Sequence, residues 1–267
     1  MERQLIGRGV LAGALAGLLA FVFARIFAEP VIVKSIAYED AVGAAQAALD
    51  RAAGIAVEAD GPDLVSRGIQ MNVGLGAGLI LFGAAMGALV AVAYVIAVGR
   101  IKVRPFQLAL LVPVFFFIGF YVVPFAKYPA NPPAVSDDET IRSRGASWLI
   151  IVFLASLFLF LAVYAGQRLH RRLALYPTVL VMGVAYVAVM AVVMFLMPGF
   201  DETPGPMRDP SGAIVLDGFP ADLLASFRVY SFAAQVILWG TIALVFAPLA
   251  KQVLEPAPRA VPAAATA

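Results

Sequence analysis

The residues best suited to chemistry lie between Pro124 and Arg144, in the string PFAKYPANPPAVSDDETIRSR. Pro129, Pro132 and Pro133 fix φ and remove three backbone donors, so this stretch is expected to be extended and not helical. Its carbonyls, with few local N–H groups to pair with, are then oxygen donors in waiting. Asn131 adds an amide oxygen, and Asp137, Asp138 and Glu139 add carboxylates. Such a set of oxygens suits a hard or borderline cation. Lys127 sits where a long side chain would reach a membrane surface, and its ammonium could pair with one of these carboxylates or with Glu29 until a metal ion displaces it. Two readings are open: a stiff connector carrying a solvated charge run, or the mouth of a cation path with Lys127 and the prolines as its gate.

Composition says what must hold this stretch. Hydrophobic residues make up 62% of the 267 residues and charged residues 13%, which points to an integral membrane protein. Cysteine is absent and His170 is the sole histidine, so thiolate sites, disulfides and a multi-histidine metal site within one chain are excluded. Neither a phosphate-binding P-loop nor a nucleophile-elbow motif is present, and GLGAG at Gly74–Gly78 lacks the strand and third glycine of a dinucleotide loop. Nothing points to an enzyme, a resident cofactor or a nucleic-acid partner.

Apolar runs predict an all-α, polytopic membrane protein with six spans, at about 10–28, 72–98, 106–125, 148–166, 177–197 and 229–249. They form one transmembrane domain over 1–254, with a disordered Pro/Ala-rich tail over 255–267. The first run also has the length of a signal peptide, with Val22-Phe23-Ala24 as a passable cleavage site. A retained helix is favoured because Gly9, Gly13 and Gly17 recur every four residues and would let a neighbouring helix approach closely. The second span, with Gly74/Gly78 and Gly83/Gly87, is the expected neighbour. Arg25 and Glu29, four apart, are expected to pair on one face. Ser35–Ala53 reads as a separate Ala-rich surface helix capped by Ser35, and Asp60-Gly61-Pro62-Asp63 as a turn. Met182, Met190, Met194 and Met197 share a face of the fifth span and read as packing residues. Arg228 enters the sixth span.

Six spans put both termini on one side. The short loops on that side hold Arg100, Lys102 and Arg104, then Arg168, Arg171 and Arg172, so this side is expected to be cytoplasmic. The opposite side is acidic and would concentrate cations at its surface.

PFAKYPANPPAV, with GVLAGALAGLLAFVFARIFAEP and GFPADLLASFRVYSFAAQVILW, resembles the CbtA family, predicted to supply the larger membrane subunit of a bacterial cobalt transporter. The resemblance covers the chain up to Leu254. It implies a multi-pass protein of the bacterial inner membrane that takes up cobalt, or another divalent transition metal, as substrate. Glu29, Glu39, Asp40, Asn131, Asp137, Asp138 and Glu139 are then the oxygen donors. It also implies a small single-span, His-rich partner, CbtB, to supply the nitrogen ligands this chain lacks. A transporter of another solute and a non-transporting membrane scaffold are the alternatives.

Overall fold

A computed structural model describes residues 1–57, 65–137 and 139–254. Six helices are long and apolar enough to cross a membrane: α1 (Glu2–Ala52), α2 (Arg67–Ala97), α3 (Pro105–Lys127), α4 (Ile141–Leu169), α5 (Leu175–Leu196) and α6 (Ala221–Leu254). A short antiparallel hairpin, β1 (Met207–Arg208) with β2 (Ile214–Leu216), decorates the α5–α6 connection. The expected disordered tail, 255–267, and the expected turn at 60–63 lie outside the described residues.

The first helix departs from expectation. It was expected to stop near Ala28, before Pro30, but it runs on to Ala52 without a break. A π-helical turn at Ala24–Ala28 explains this. Proline lacks an N–H and its ring crowds the carbonyl four residues back; a widened turn there takes up the mismatch and the helix continues. The same device recurs at Ile118–Val122, just ahead of Pro124 in α3. With 51 residues, α1 is about 76 Å long at 1.5 Å per residue, far more than the ~30 Å a hydrocarbon core needs. Its second half therefore extends beyond the apolar layer. Ser35 does not cap a new helix: it is buried mid-helix, and its Oγ donates to the Val31 carbonyl at 3.0 Å.

Packing is centred on α1. Leu5, Ala12, Ala16 and Ala20 meet Val90, Ala91 and Tyr94 of α2 and Leu238, Ile242 and Phe246 of α6 in one buried cluster. Between α1 and α2 the contact is backbone on backbone. A Cβ at Gly9 would overlap the Gly87 carbonyl, and one at Gly13 the Gly83 carbonyl. Gly17 lies against the Leu79 and Ile80 backbone, whereas Gly78 faces open space and Gly74 nears only its own helix. The expected glycine contact thus forms through Gly83 and Gly87, and the Gly74/Gly78 pair takes no part. Helices associate this way in lipid because dispersion between close backbones replaces the missing hydrophobic drive. The helix is continuous through Ala24, so a cut there would remove the element on which α2 and α6 pack.

The α4–α5 hairpin is peripheral. It meets α3 where Val123 joins Ala155, Tyr186 and Met190, and where Gly119 lies so close to Ser156 that a Cβ would fall 2.8 Å from its hydroxyl. Met190 is 3% exposed there, Met194 packs against the same cluster, and Met182 Cγ lies 3.3 Å from where a Cβ on Gly166 would sit, so these three methionines pack as expected. Elsewhere α5 turns large apolar residues outward, Phe195 being 87% exposed. Outward-facing apolar side chains are what lipid, and not water, stabilises.

Candidate functional site

The helices alternate in direction, so the ends of α1 (its apolar part), α3 and α5 and the starts of α2, α4 and α6 gather at one end of the bundle. Two polar clusters sit there.

The first joins α1 to α2. Glu29 is 3% exposed and forms an ion pair with Arg67. Arg25 donates through Nε to Asn72 Oδ1 at 3.0 Å, and Asn72 Nδ2 donates to the Gly68 carbonyl at 2.8 Å. The expected Arg25–Glu29 pair does not form. An exposed pair four residues apart stabilises a helix by only ~0.2–0.5 kcal/mol. A carboxylate buried at a helix–helix contact is stabilised far more by a cation from the facing helix. Arg67, which the sequence reading did not single out, supplies it.

The second cluster is built on the proline-rich loop and centres on a residue the sequence reading missed, Glu202. Its side chain is 3% exposed. Asn131 Nδ2 donates to its Oε2 at 3.0 Å, Thr140 Oγ1 to its Oε1 at 2.6 Å, and Arg144 Nε lies 3.3 Å from Oε2. Arg144 also donates through Nη2 to the Pro129 carbonyl at 2.6 Å. Arg228 reaches in from α6, with Nη2 donating to Asn131 Oδ1 at 3.1 Å and Nε to the Ala130 carbonyl at 3.4 Å. The loop carbonyls were expected to be free as ligands. Instead the prolines leave them without local donors and two arginines donate to them. Nothing in the sequence around Glu202 distinguishes it from its exposed neighbour Asp201.

Apolar contacts pin the loop as well. Val135 is fully buried against Phe219 and Leu224, with Tyr38 of α1 packed alongside. Tyr38 stacks edge-on against Phe219 at 5.1 Å and donates to the Asp217 carbonyl at 3.0 Å. Tyr128 donates to the Pro198 carbonyl at 2.8 Å; burial raises its phenol pKa, and a hydrogen bond with Ser147 partly opposes the shift. Pro132 is buried and Ala134 adopts a left-handed φ of +66°, a conformation an L-residue holds only when its surroundings impose it. The extended, non-helical loop was expected; its burial under the α5–α6 connection was not.

The remaining expected site residues are dispersed. Asp137 is exposed and orders the entry to α4: its Oδ1 accepts from the Glu139 N–H at 2.9 Å and its carbonyl from Ile141 N–H at 2.9 Å. Glu139 is exposed, and Asp138 lies outside the described residues. Lys127 is half-buried, with its ammonium 5.8 Å from the Tyr128 ring centre and no carboxylate partner among the described residues. Pro133 lies half-buried in the loop. Among the described residues no three of His, Asp or Glu converge as a metal-ligand set.

Beside the loop is an open cavity of about 430 Å³. Its lining combines the aromatic residues Tyr121, Phe125, Tyr128, Trp148 and Phe227 with the polar Asn131 and Arg144. Tyr121 and Phe125 are held by Phe232 of α6, their ring centres 5.9 and 5.4 Å from it.

Comparison with curated proteins and with solved structures returned no match for this chain. A family profile does match, over residues 2–251, and takes in five helices whole, α6 as far as Lys251, and both polar clusters; its description is "Probable cobalt transporter subunit (CbtA)". Six helices able to span a membrane, a core set by helix-packing glycines and a profile match over nearly its whole length establish that this chain belongs to the CbtA family.

Proposed function

We propose that this protein is the membrane-spanning subunit of a transporter that takes cobalt, or a similar divalent metal ion, across the bacterial inner membrane. Family membership supports the substrate class. The observation that carries the mechanism is the burial of Glu202 beneath a loop whose oxygens are occupied by Arg144 and Arg228.

In this reading the described arrangement is a closed mouth. The guanidinium groups stand where a dication would stand, on Glu202, on Asn131 Oδ1 and on the Pro129 and Ala130 carbonyls. An arriving ion competes for those oxygens, releases the arginines and frees the loop to move. The gate therefore belongs to Arg144 and Arg228, with Lys127 at its edge. Nitrogen ligands come from a small His-rich partner subunit. With the loop on the outer side, a 2+ ion moving inward is favoured by about 4.6 kcal/mol per 100 mV of potential, so uptake needs no nucleotide.

Cobalt accumulation tests the proposal. Cells lacking their own cobalt uptake should accumulate the ion when they express this chain with a His-rich partner. Glu202→Gln should reduce accumulation about tenfold or more while the protein remains in the membrane, the loss expected for a charged group that binds the ion directly. Metal-independent behaviour in the presence of the partner would sink the proposal.

A further inference from the structure

We propose that the aromatic cavity beside the proline-rich loop binds the headgroup region of an anionic phospholipid, with the phosphate on Arg144 and the first part of an acyl chain against Tyr121, Phe125, Trp148 and Phe227.

Three observations point to this occupant. First, charge is unbalanced. Arg144 and Arg228 enter one network that holds a single carboxylate, Glu202, among the described residues. Arg228 has only neutral acceptors there, the Ala130 carbonyl and Asn131 Oδ1. Arg144 is part of the cavity lining and Arg228 is not, so the surplus belongs to the network as a whole: among the described residues it carries one positive charge more than Glu202 balances. Arg144 is the member that reaches the cavity, and a guanidinium is the side chain best shaped for a phosphate. Second, the lining is amphipathic, as a lipid requires, combining Arg144 and Asn131 with five aromatic residues, Tyr128 among them. At about 430 Å³ the space falls in the range of ligand cavities. Third, the cavity lies where the apolar spans end. It is lined by the last turns of α3 and the first of α4, and Trp148, partly exposed, takes the depth at which indole rings meet headgroups. A small soluble anion would use Arg144 and leave the aromatic wall bare; an uncharged amphiphile would use the wall and leave the charge. An anionic lipid uses both. The site does not depend on which ion the protein moves.

The purified full-length protein, stripped of co-purifying lipid, is to be tested by native mass spectrometry and thermal unfolding. The probes are phosphatidylglycerol, phosphatidylcholine and inorganic phosphate. Phosphatidylglycerol is expected to be retained about fivefold over phosphatidylcholine, the factor one basic side chain confers on an anionic lipid, and to raise the unfolding midpoint. Gly145 lines the cavity, and a Cβ built on it meets nothing within 4 Å. Gly145→Leu should therefore narrow the space without disturbing Arg144 or Glu202, and should weaken both the preference and the shift. Arg144→Gln should abolish the preference. Equal retention of the two lipids, a full shift with inorganic phosphate alone, or an undiminished preference in Gly145→Leu would each overturn the proposal.

Discussion

Asn131 Nδ2 donates to Glu202 Oε2 at 3.0 Å, joining the α3–α4 loop to the α5–α6 connection across 71 positions of sequence. A buried carboxylate with three donors holds its loop more firmly than a neutral amide would, because hydrogen bonds to an ionised acceptor are each worth about 1.5–3 kcal/mol. Glu202→Gln should loosen the loop without altering its shape. A cysteine introduced at Val135, which is fully buried, should react slowly with a thiol reagent in the parent and much faster beside Glu202→Gln. Glu139→Gln, at an exposed position, should change nothing. If the two backgrounds react alike, the apolar contacts of Val135 hold the loop by themselves.

The contact of α1 with α2 leaves no room for a side chain at Gly13. Gly13→Leu should cost about 3 kcal/mol or more, since the overlap is with the Gly83 backbone and no rotamer relieves it. Gly78→Leu, into open space on the same helix pair, should be tolerated, as should Leu18→Ile on the outward face. The yield of monodisperse protein and its unfolding midpoint measure both. Normal behaviour of Gly13→Leu would place the tight contact elsewhere.

Removing Arg67 strands the Glu29 carboxylate, whose side chain is 4% exposed. Arg67→Met should cost about 2–3 kcal/mol, somewhat below the usual loss for a buried pair because Arg67 is itself partly exposed. Glu29→Gln added to Arg67→Met should recover most of that loss. A double variant no better than the single one would mean that Arg67 acts by packing and not by charge.

Orientation is open to direct test in this cysteine-free chain. Ala47→Cys, Ser136→Cys and Ser211→Cys should label with an impermeant reagent in intact cells, and Gln167→Cys should not. The basic loop around Gln167 is expected to stay inside, as short loops rich in arginine do. Labelling at Gln167 would invert the topology and with it the direction of the proposed uptake.

The number and order of the spans were legible in the sequence because long apolar runs bounded by charges have one stable home, and each helix satisfies its own backbone there. The Gly13–Gly83 contact was legible for a related reason: glycines four apart mark a helix face, and lipid leaves close approach as the main force between faces. The proline-rich loop was legible as extended because proline dictates its own backbone.

What the sequence left undecided depends on groups far apart along the chain. Local rules stop a helix at Pro30, yet a widened turn carried α1 past it, because packing on the segment around Phe219 rewards the extra length. The pairing of Glu29 with Arg67 over Arg25 is a choice between neighbours in sequence and neighbours in space, and burial of the carboxylate decides it. Glu202 is the sharpest case. In sequence it is one acid in a polar linker, no different from Asp201; folding turns it beneath the loop, where Asn131, Thr140 and Arg144 converge on it. The oxygens of the loop were foreseeable from composition. That arginines would occupy them was not, because only the tertiary structure brings α4, α6 and the α5–α6 connection to the same few ångströms.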